Sequence, residues 1–204
     1  MQELTGIENT WGQFSRLSPA EVCKRAHVSF DQNLQVYEIS SFGQNIHISK
    51  DRRELTCASP QGKYLLSIDD YFFDLSVLWY LISAKNIPLS GNLIKPSDVA
   101  GGQIFMKGTH VLPLDEIALK FNDRKESFLD VGREYGGIEA EHGDVSVQLL
   151  PFPGLPVYII LWFGDEDFPA KGQLLLDSSC SSYLPTDVLW AMSMVCCLIF
   201  LTDP

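Results

Sequence analysis

The stretch VSVQLLPFPGLPVYIILWFGDEDFPAKGQLLL, residues 145–176, decides how the C-terminal half of the chain folds. Its apolar runs are short and rich in β-branched and large side chains, and proline and glycine separate them. This pattern is typical of strands joined by turns. We therefore predict strands over residues 145–150, 157–163 and 173–176, and we expect them to pair mostly antiparallel.

Working outward, residues 35–40 and 45–49 alternate apolar and polar side chains on either side of Phe42 and Gly43. Alternate side chains of a strand lie on the same face of a sheet, so this pattern predicts a β-hairpin with one buried face. A helix start comes before the hairpin, where Ser18 can serve as N-cap. It predicts a helix to about residue 30.

That helix start has two further signals. Pro19 suits the first helical position, and Glu21 is placed to close a capping box with Ser18.

Two longer helices are indicated by dense apolar segments. Residues 70–85 carry apolar side chains at near-helical spacing and are followed by Pro88, which predicts a central core helix. The longest apolar run, residues 188–201, has 14 residues, whereas a helix that spans a bilayer needs roughly 20. We predict a buried terminal helix, with Thr186 or Asp187 as its cap.

Between these helices the chain changes character. Residues 88–108 are rich in glycine and proline, which predicts loops that can line a cleft. Pro113 then begins a predicted helix that runs through Phe121. A second helix is predicted from about Glu126 and ends at Gly136 and Gly137, where glycine can adopt the left-handed conformation that closes a helix.

These elements predict an α+β fold. With 204 residues, no internal repeat and no convincing linker, the chain is expected to form a single domain, residues 1–204. We expect the N-terminal hairpin and the C-terminal strands, mostly antiparallel, to pack against several helices.

The charge is unevenly spread along this chain. The formal net charge is -11, and residues 126–204 contain 12 acidic side chains but only Arg133 and Lys171 as bases. The acidic balance argues against a surface that binds nucleic acid or an anionic membrane, because such partners attract lysine and arginine and repel carboxylates. The C-terminal acidity is either a solubility face or a carboxylate cluster for a cation or a basic partner.

The compartment is expected to be the cytoplasm. Residues 1–12 lack the apolar run of a signal peptide. The cysteines are odd in number and scattered, so they indicate reduced thiols rather than a disulfide framework or a zinc ribbon. They are Cys23, Cys57, Cys180, Cys196 and Cys197.

Several separated motifs resemble the family called "domain of unknown function 3786". They are LWFGDEDFP at 161–169, LLLD at 174–177, YLPTD at 183–187 with Trp190, AKNIPLSG at 84–91 and GTHVLP at 108–113. The resemblance covers residues from about 20 to 204. It implies a bacterial or archaeal protein with a link to anaerobic corrinoid, iron-sulfur or one-carbon metabolism, although this chain has no cysteine-rich segment to hold a cluster.

The acidic motif supplies the first candidate site. Asp165, Glu166 and Asp167 follow a predicted strand, and alternate side chains at a strand end share a face. Asp165 and Asp167, with Asp177, would suit a hard cation such as Mg²⁺ or Ca²⁺, although no EF-hand spacing surrounds them. The alternative is a turn in which an aspartate caps backbone N–H groups.

His110 is the second candidate, because it follows Gly108 in a loop just before a predicted helix. Imidazole can act as acid, base or ligand near neutral pH. The alternative is a packed, hydrogen-bonded histidine.

The candidate residues support more than one function. We expect a non-catalytic accessory module that binds a small molecule or a protein partner in a cleft between the 91–110 loops and the 165–169 turn. Its candidate ligand-binding residues are His110, Trp162, Asp165, Glu166, Asp167 and Asp177. The rival is a metal-assisted hydrolase that uses His110 with Asp165 or Asp167, and a third possibility is an acidic docking face. The cofactor is unknown from the sequence.

Overall fold

The structure, a computed structural model, describes residues 3–68 and 72–202. The described residues form seven α-helices: α1 Glu3–Ser15, α2 Pro19–Ala26, α3 Pro60–Leu65, α4 Phe72–Ser83, α5 Leu114–Lys120, α6 Lys125–Glu134 and α7 Thr186–Leu201. Their strands are β1 Ser29–Asp31, β2 Val36–Ser41, β3 Gln44–Ser49, β4 Glu54–Thr56, β5 Leu93–Ile94, β6 Ile138–Ala140, β7 Val145–Phe152, β8 Leu155–Trp162 and β9 Lys171–Asp177. The fold is α+β, as predicted.

The strands form two antiparallel sheets. The first sheet has the order β1-β2-β3-β4 and contains the predicted hairpin. Phe42 and Gly43 connect β2 to β3 with φ angles of 49° and 69°. Two consecutive left-handed residues make the type of tight turn that matches the twist of a hairpin.

The second sheet has the order β5-β9-β8-β7-β6 and contains the three strands predicted from residues 145–176. In β8, residues from Leu155 to Leu161 are buried with the single exception of Tyr158, whereas Trp162 at the end of the strand is exposed. The buried part of β8 therefore ends at Leu161, one residue before the end of the strand.

Helices and sheets share one hydrophobic core. The two most apolar helices, α4 and α7, pack against each other. Ten of the 16 residues of α7 are buried, including Cys196 and Cys197, which fits a helix that is apolar all round. In the part of the chain that the structure describes, no helix has the length and apolarity needed to cross a membrane.

The helix that begins after Ser18 is shorter than predicted. The Ser18 hydroxyl accepts a hydrogen bond from the Glu21 backbone N–H, as expected of an N-cap. The helix ends at Ala26, however, because His27 adopts a left-handed φ of 52°, and strand β1 begins two residues later. The prediction of a helix to residue 30 was wrong: the left-handed residue stops it.

The predicted cap of α7 was also wrong. Pro185 holds the N-cap position, and Thr186 is already helical. The Thr186 hydroxyl donates to the Ala100 carbonyl instead of capping the helix.

The sequence pattern also did not predict α1 or α3. The predicted central helix, residues 70–85, begins at a residue that lies outside the described residues. The part of it that the structure describes is helix α4.

Candidate functional site

The Asp165 carboxylate accepts hydrogen bonds from the backbone of the turn in which it lies. One of its oxygens accepts hydrogen bonds from the backbone N–H groups of Asp167 and Phe168, both at 2.8 Å. The Asp165 N–H in turn donates to the Phe168 carbonyl at 2.9 Å. These hydrogen bonds from Asp167 and Phe168 lower the pKa of Asp165. The residue therefore caps the turn that connects β8 to β9, which we call the acidic turn, residues 163–169.

Two further hydrogen bonds fix the start of the acidic turn. The Phe163 N–H donates to the Asp144 carboxylate at 2.7 Å, and the Gly164 N–H donates to the Asn122 side-chain oxygen at 2.8 Å. A Cβ on Gly164 would lie 2.6 Å from the Ala170 nitrogen, so only glycine fits there. The turn is thus held to two neighbouring loops as well as to itself.

Asp177 has a different environment, since only 2% of it is exposed. Its carboxylate accepts hydrogen bonds from the backbone and hydroxyl of Ser90, from the backbone of Gly91, and from both the backbone and hydroxyl of Ser179, at 2.6–3.1 Å. Burial raises the pKa of Asp177, but the hydrogen bonds from Ser179 and Ser90 outweigh it and hold the pKa well below its usual range.

The hydrogen bonds of Asp177 join two distant parts of the chain. Ser90 and Gly91 precede β5, whereas Asp177 ends β9 and Ser179 follows it. The Ser178 N–H adds a bond to the Asn92 carbonyl at 2.8 Å. The carboxylate therefore secures the edge of the second sheet, and its oxygens are already surrounded by donors.

His110 packs against the terminal helix. Its ring lies edge-on to the Trp190 ring, with centroids 4.9 Å apart. The Trp190 indole N–H donates to the His110 carbonyl at 2.7 Å. This contact fixes the position of the 108–110 segment against α7.

The structure does not join the predicted site residues through direct contacts. Within residues 3–68 and 72–202, no hydrogen bond or ion pair connects His110 with Asp165, Asp167 or Asp177. The same residues contain no group of three or more His, Cys, Asp or Glu side chains placed to hold a metal ion.

An exposed apolar surface lies beside the acidic turn. Leu119 is 77% exposed, Phe168 71% and Trp162 37%. With Asp115 and Lys171 they line a cavity of about 680 Å³, which we call the aromatic groove. Large apolar side chains clustered on a surface are a feature of interaction sites, whereas isolated ones are ordinary.

A second cavity adjoins the aromatic groove. It has a volume of about 350 Å³, and we call it the edge pocket because strand β9 forms one wall from Lys171 to Leu174. Pro96, Phe105 and Leu112 are among its other lining residues, and Asp115 and Lys171 line both cavities. The loops that were predicted to form a cleft therefore contribute to it.

The chain was compared with known families and proteins. The model of the family described as Domain of unknown function (DUF3786) matches residues 18–198. This chain belongs to that family. Comparison with curated proteins and with solved structures gave no significant match.

The motifs that resemble the DUF3786 family have different environments in the structure. Asp177 and Trp190 are held by the internal hydrogen bonds described above. Tyr183 is held in the same way, since its hydroxyl donates to the Ile87 carbonyl at 2.9 Å. Trp162 and Phe168 instead present apolar side chains to solvent. Leu89 and Val111 of the other motifs are exposed as well, but Trp162 and Phe168 line one cavity together.

The sequence contained signals for two groove residues that were not predicted. In α5 the buried residues are Ile117 and Ala118. Helical spacing places Leu119 outside the face that they form. Lys171 is one of only two bases after residue 125. An apolar residue on the polar face and a lone lysine in an acidic region were the available indications.

Proposed function

We propose that this protein is a non-catalytic binding module that holds a protein partner in the aromatic groove. The observation that carries the proposal is the exposure of Leu119, Trp162 and Phe168 around one cavity. Pockets for small molecules typically bury most of the ligand surface. Leu119 and Phe168 extend into solvent instead, which suits the flatter contact of two proteins.

The rigidity of the acidic turn supports this proposal. The Phe168 backbone N–H donates to the Asp165 carboxylate. The start of the turn also donates hydrogen bonds to the side chains of Asp144 and Asn122. An aromatic side chain on a fixed backbone loses little conformational entropy when it binds. Aromatic residues of this kind are common among the side chains that dominate binding energy at interfaces.

The charges beside the groove favour a basic partner. Asp115 and Lys171 line the groove. Three more carboxylates, Asp165, Glu166 and Asp167, directly precede Phe168, so acidic groups outnumber the lysine. In the described part of the chain, none of these four carboxylates forms an ion pair within 4 Å. Lysine and arginine side chains of a partner would complement them.

We also propose that the module works in the cytoplasm. The five cysteines are free, and Cys180, Cys196 and Cys197 are buried. Free thiols are typical of proteins in a reducing compartment.

The proposal can be tested by selecting random displayed peptides of about eight residues, enough to form a typical strand, on the wild-type protein. Selected peptides are expected to be rich in Lys or Arg and in apolar residues. Their dissociation constants should rise by about tenfold or more on the double variant Trp162→Ala/Phe168→Ala, because anchor residues are lost.

The matched control is Leu34→Ala/Ile138→Ala, which removes two large apolar side chains that are 70% and 61% exposed but do not line the groove. This variant should bind like the wild type. Equal losses with both double variants, or a selection that enriches no peptide, would contradict the proposed function.

A further inference from the structure

The edge pocket differs from the aromatic groove in the charges that line it. Among the described residues, its charged side chains are those of Lys95, Lys171 and Asp115. The acidic turn lines the groove but contributes no residue to the edge pocket. Two lysines and one aspartate give the lining a formal charge of +1, in a chain whose net charge is -11. The edge pocket is therefore a basic site on an acidic protein.

The two lysines come from distant parts of the chain, and each has a fixed backbone. The Lys95 N–H donates to the Asp98 carboxylate at 3.2 Å, across the short 3₁₀ turn Pro96–Asp98. Lys171 is the first residue of β9 and pairs with Trp162 of β8. It is also one of only two bases after residue 125. The fold thus brings both lysines to the lining of one cavity.

These charged side chains do not neutralise one another. In the part of the chain that the structure describes, Lys95, Lys171 and Asp115 form no ion pair within 4 Å. All three residues are exposed. A lysine ammonium group is a point charge on a flexible stem, so it can turn toward an anion that enters the cavity. Both ammonium groups are therefore available to a ligand.

The rest of the lining is largely apolar. Val111 is 52% exposed and Leu114 is partly exposed, so these two side chains offer apolar surface to a ligand. Phe105, Leu112 and Leu174 are buried and close the cavity. Its volume of about 350 Å³ is at the lower end of the range of about 300–1,000 Å³ that is typical of small-molecule pockets. The dimensions suit a small molecule.

We infer that the edge pocket binds a small organic acid that combines an apolar body with a single carboxylate. The apolar body packs on Val111 and Leu114, and the carboxylate contacts Lys95 and Lys171. One negative charge balances the charge of the lining, whereas a dianion brings excess negative charge close to Asp115 and a cation is repelled by the lysines. This inference goes beyond the proposed function, because it concerns a small molecule in a second cavity.

The test compares three probes that carry the same alkyl chain: octanoate, octan-1-ol and octylammonium. Dissociation constants for the full chain are measured at low salt from the NMR chemical shifts of the Val111 and Gly172 amides, which belong to the lining. Octanoate is expected to bind about three- to tenfold more tightly than octan-1-ol, because it adds contacts with two exposed ammonium groups. Octylammonium should bind most weakly.

Variants of the charged side chains locate the carboxylate. Lys95→Gln/Lys171→Gln should weaken octanoate by about three- to tenfold and leave octan-1-ol unchanged. The matched control is Lys63→Gln/Lys85→Gln, which removes the same charge from two exposed lysines that do not line the pocket and should bind like the wild type. Asp115→Asn has the opposite sign and should tighten octanoate by about two- to threefold.

Several results would overturn the inference. They are equal affinities for the three probes, equal losses in the two lysine double variants, and no saturable binding of octanoate up to about 10 mM. Octanoate that loses affinity in Trp162→Ala/Phe168→Ala but not in Lys95→Gln/Lys171→Gln would belong to the aromatic groove and would also overturn it. The experiment uses no peptide, so its failure leaves the proposed function intact.

Discussion

The acidic turn and Asp177 show how the same functional group serves two purposes in one molecule. Asp165, Glu166 and Asp167 are exposed, and only Asp165 uses its carboxylate to hold the backbone. Asp177 is buried and surrounded by five hydrogen-bond donors. Both regions belong to the motifs of the family, yet one is internal structure and the other is surface.

The difference lies in the number of donors that face each carboxylate. A buried carboxylate without donors would be protonated or unstable, whereas one with several N–H and O–H donors becomes a strong structural link. The exposed carboxylates Glu166 and Asp167 remain able to contact a partner. We therefore expect Asp177 to affect folding and the acidic turn to affect binding.

The largest expected effect comes from Asp177→Asn. The substitution removes the charge and places an NH₂ group among donors, so the free energy of unfolding should fall by about 2–4 kcal/mol. Chemical denaturation of both proteins measures this loss. Asp167→Asn is the matched control, because no described group donates to the Asp167 side chain, and it should leave stability nearly unchanged.

The pH dependence sharpens the prediction for Asp177. The folded-state pKa lies below the unfolded value of about 3.9, so the unfolded protein takes up the proton first as the pH falls. The stabilisation is fully present above about pH 5 and is lost as the pH falls below about 4 toward the folded-state pKa. The stability gap between wild type and Asp177→Asn should narrow there. A gap that widens on acidification would contradict our account.

A smaller effect is expected from Asp165→Asn. The amide oxygen of asparagine can still accept from the N–H groups of Asp167 and Phe168, so the turn keeps its hydrogen bonds. The loss of stability should be less than roughly half of that for Asp177→Asn, since neutral acceptors form weaker bonds. Thermal unfolding of the two variants side by side provides the comparison, and an equal or larger loss at Asp165 would reverse the roles that we assign.

The sequence predicted the fold class because the patterns involved are local. The strands of residues 145–176 and the hairpin at Phe42 and Gly43 depend on alternation and turn residues close together in the chain. The end of α2 was not predicted, because the left-handed conformation of His27 has no strong sequence signal. The cap of α7 was wrong because Thr186 bonds to the distant Ala100 carbonyl.

The candidate site was less predictable, because burial depends on contacts between distant residues. Asp165 and Asp177 carry the same group, and only the fold shows that Ser90, far away in the chain, donates to Asp177. The acidic turn was expected either to bind a cation or to cap the backbone, and the hydrogen bonds of Asp165 follow the second pattern. Phe168 was visible in the motif, but its exposure depends on the fold around it.

The central claim is that the acidic turn belongs to a binding surface, and one measurement tests it most directly. It is the dissociation constant of the selected peptides for the double variant Glu166→Gln/Asp167→Asn, measured between about 50 and 500 mM salt. Our account predicts binding about three- to tenfold weaker than wild type at low salt, with little difference at high salt.

The control for this measurement is Glu21→Gln/Asp51→Asn, which neutralises two exposed carboxylates on α2 and after β3 and should bind like the wild type. Equal binding by wild type and Glu166→Gln/Asp167→Asn at every salt concentration, or the same weakening in the control, would contradict the claim.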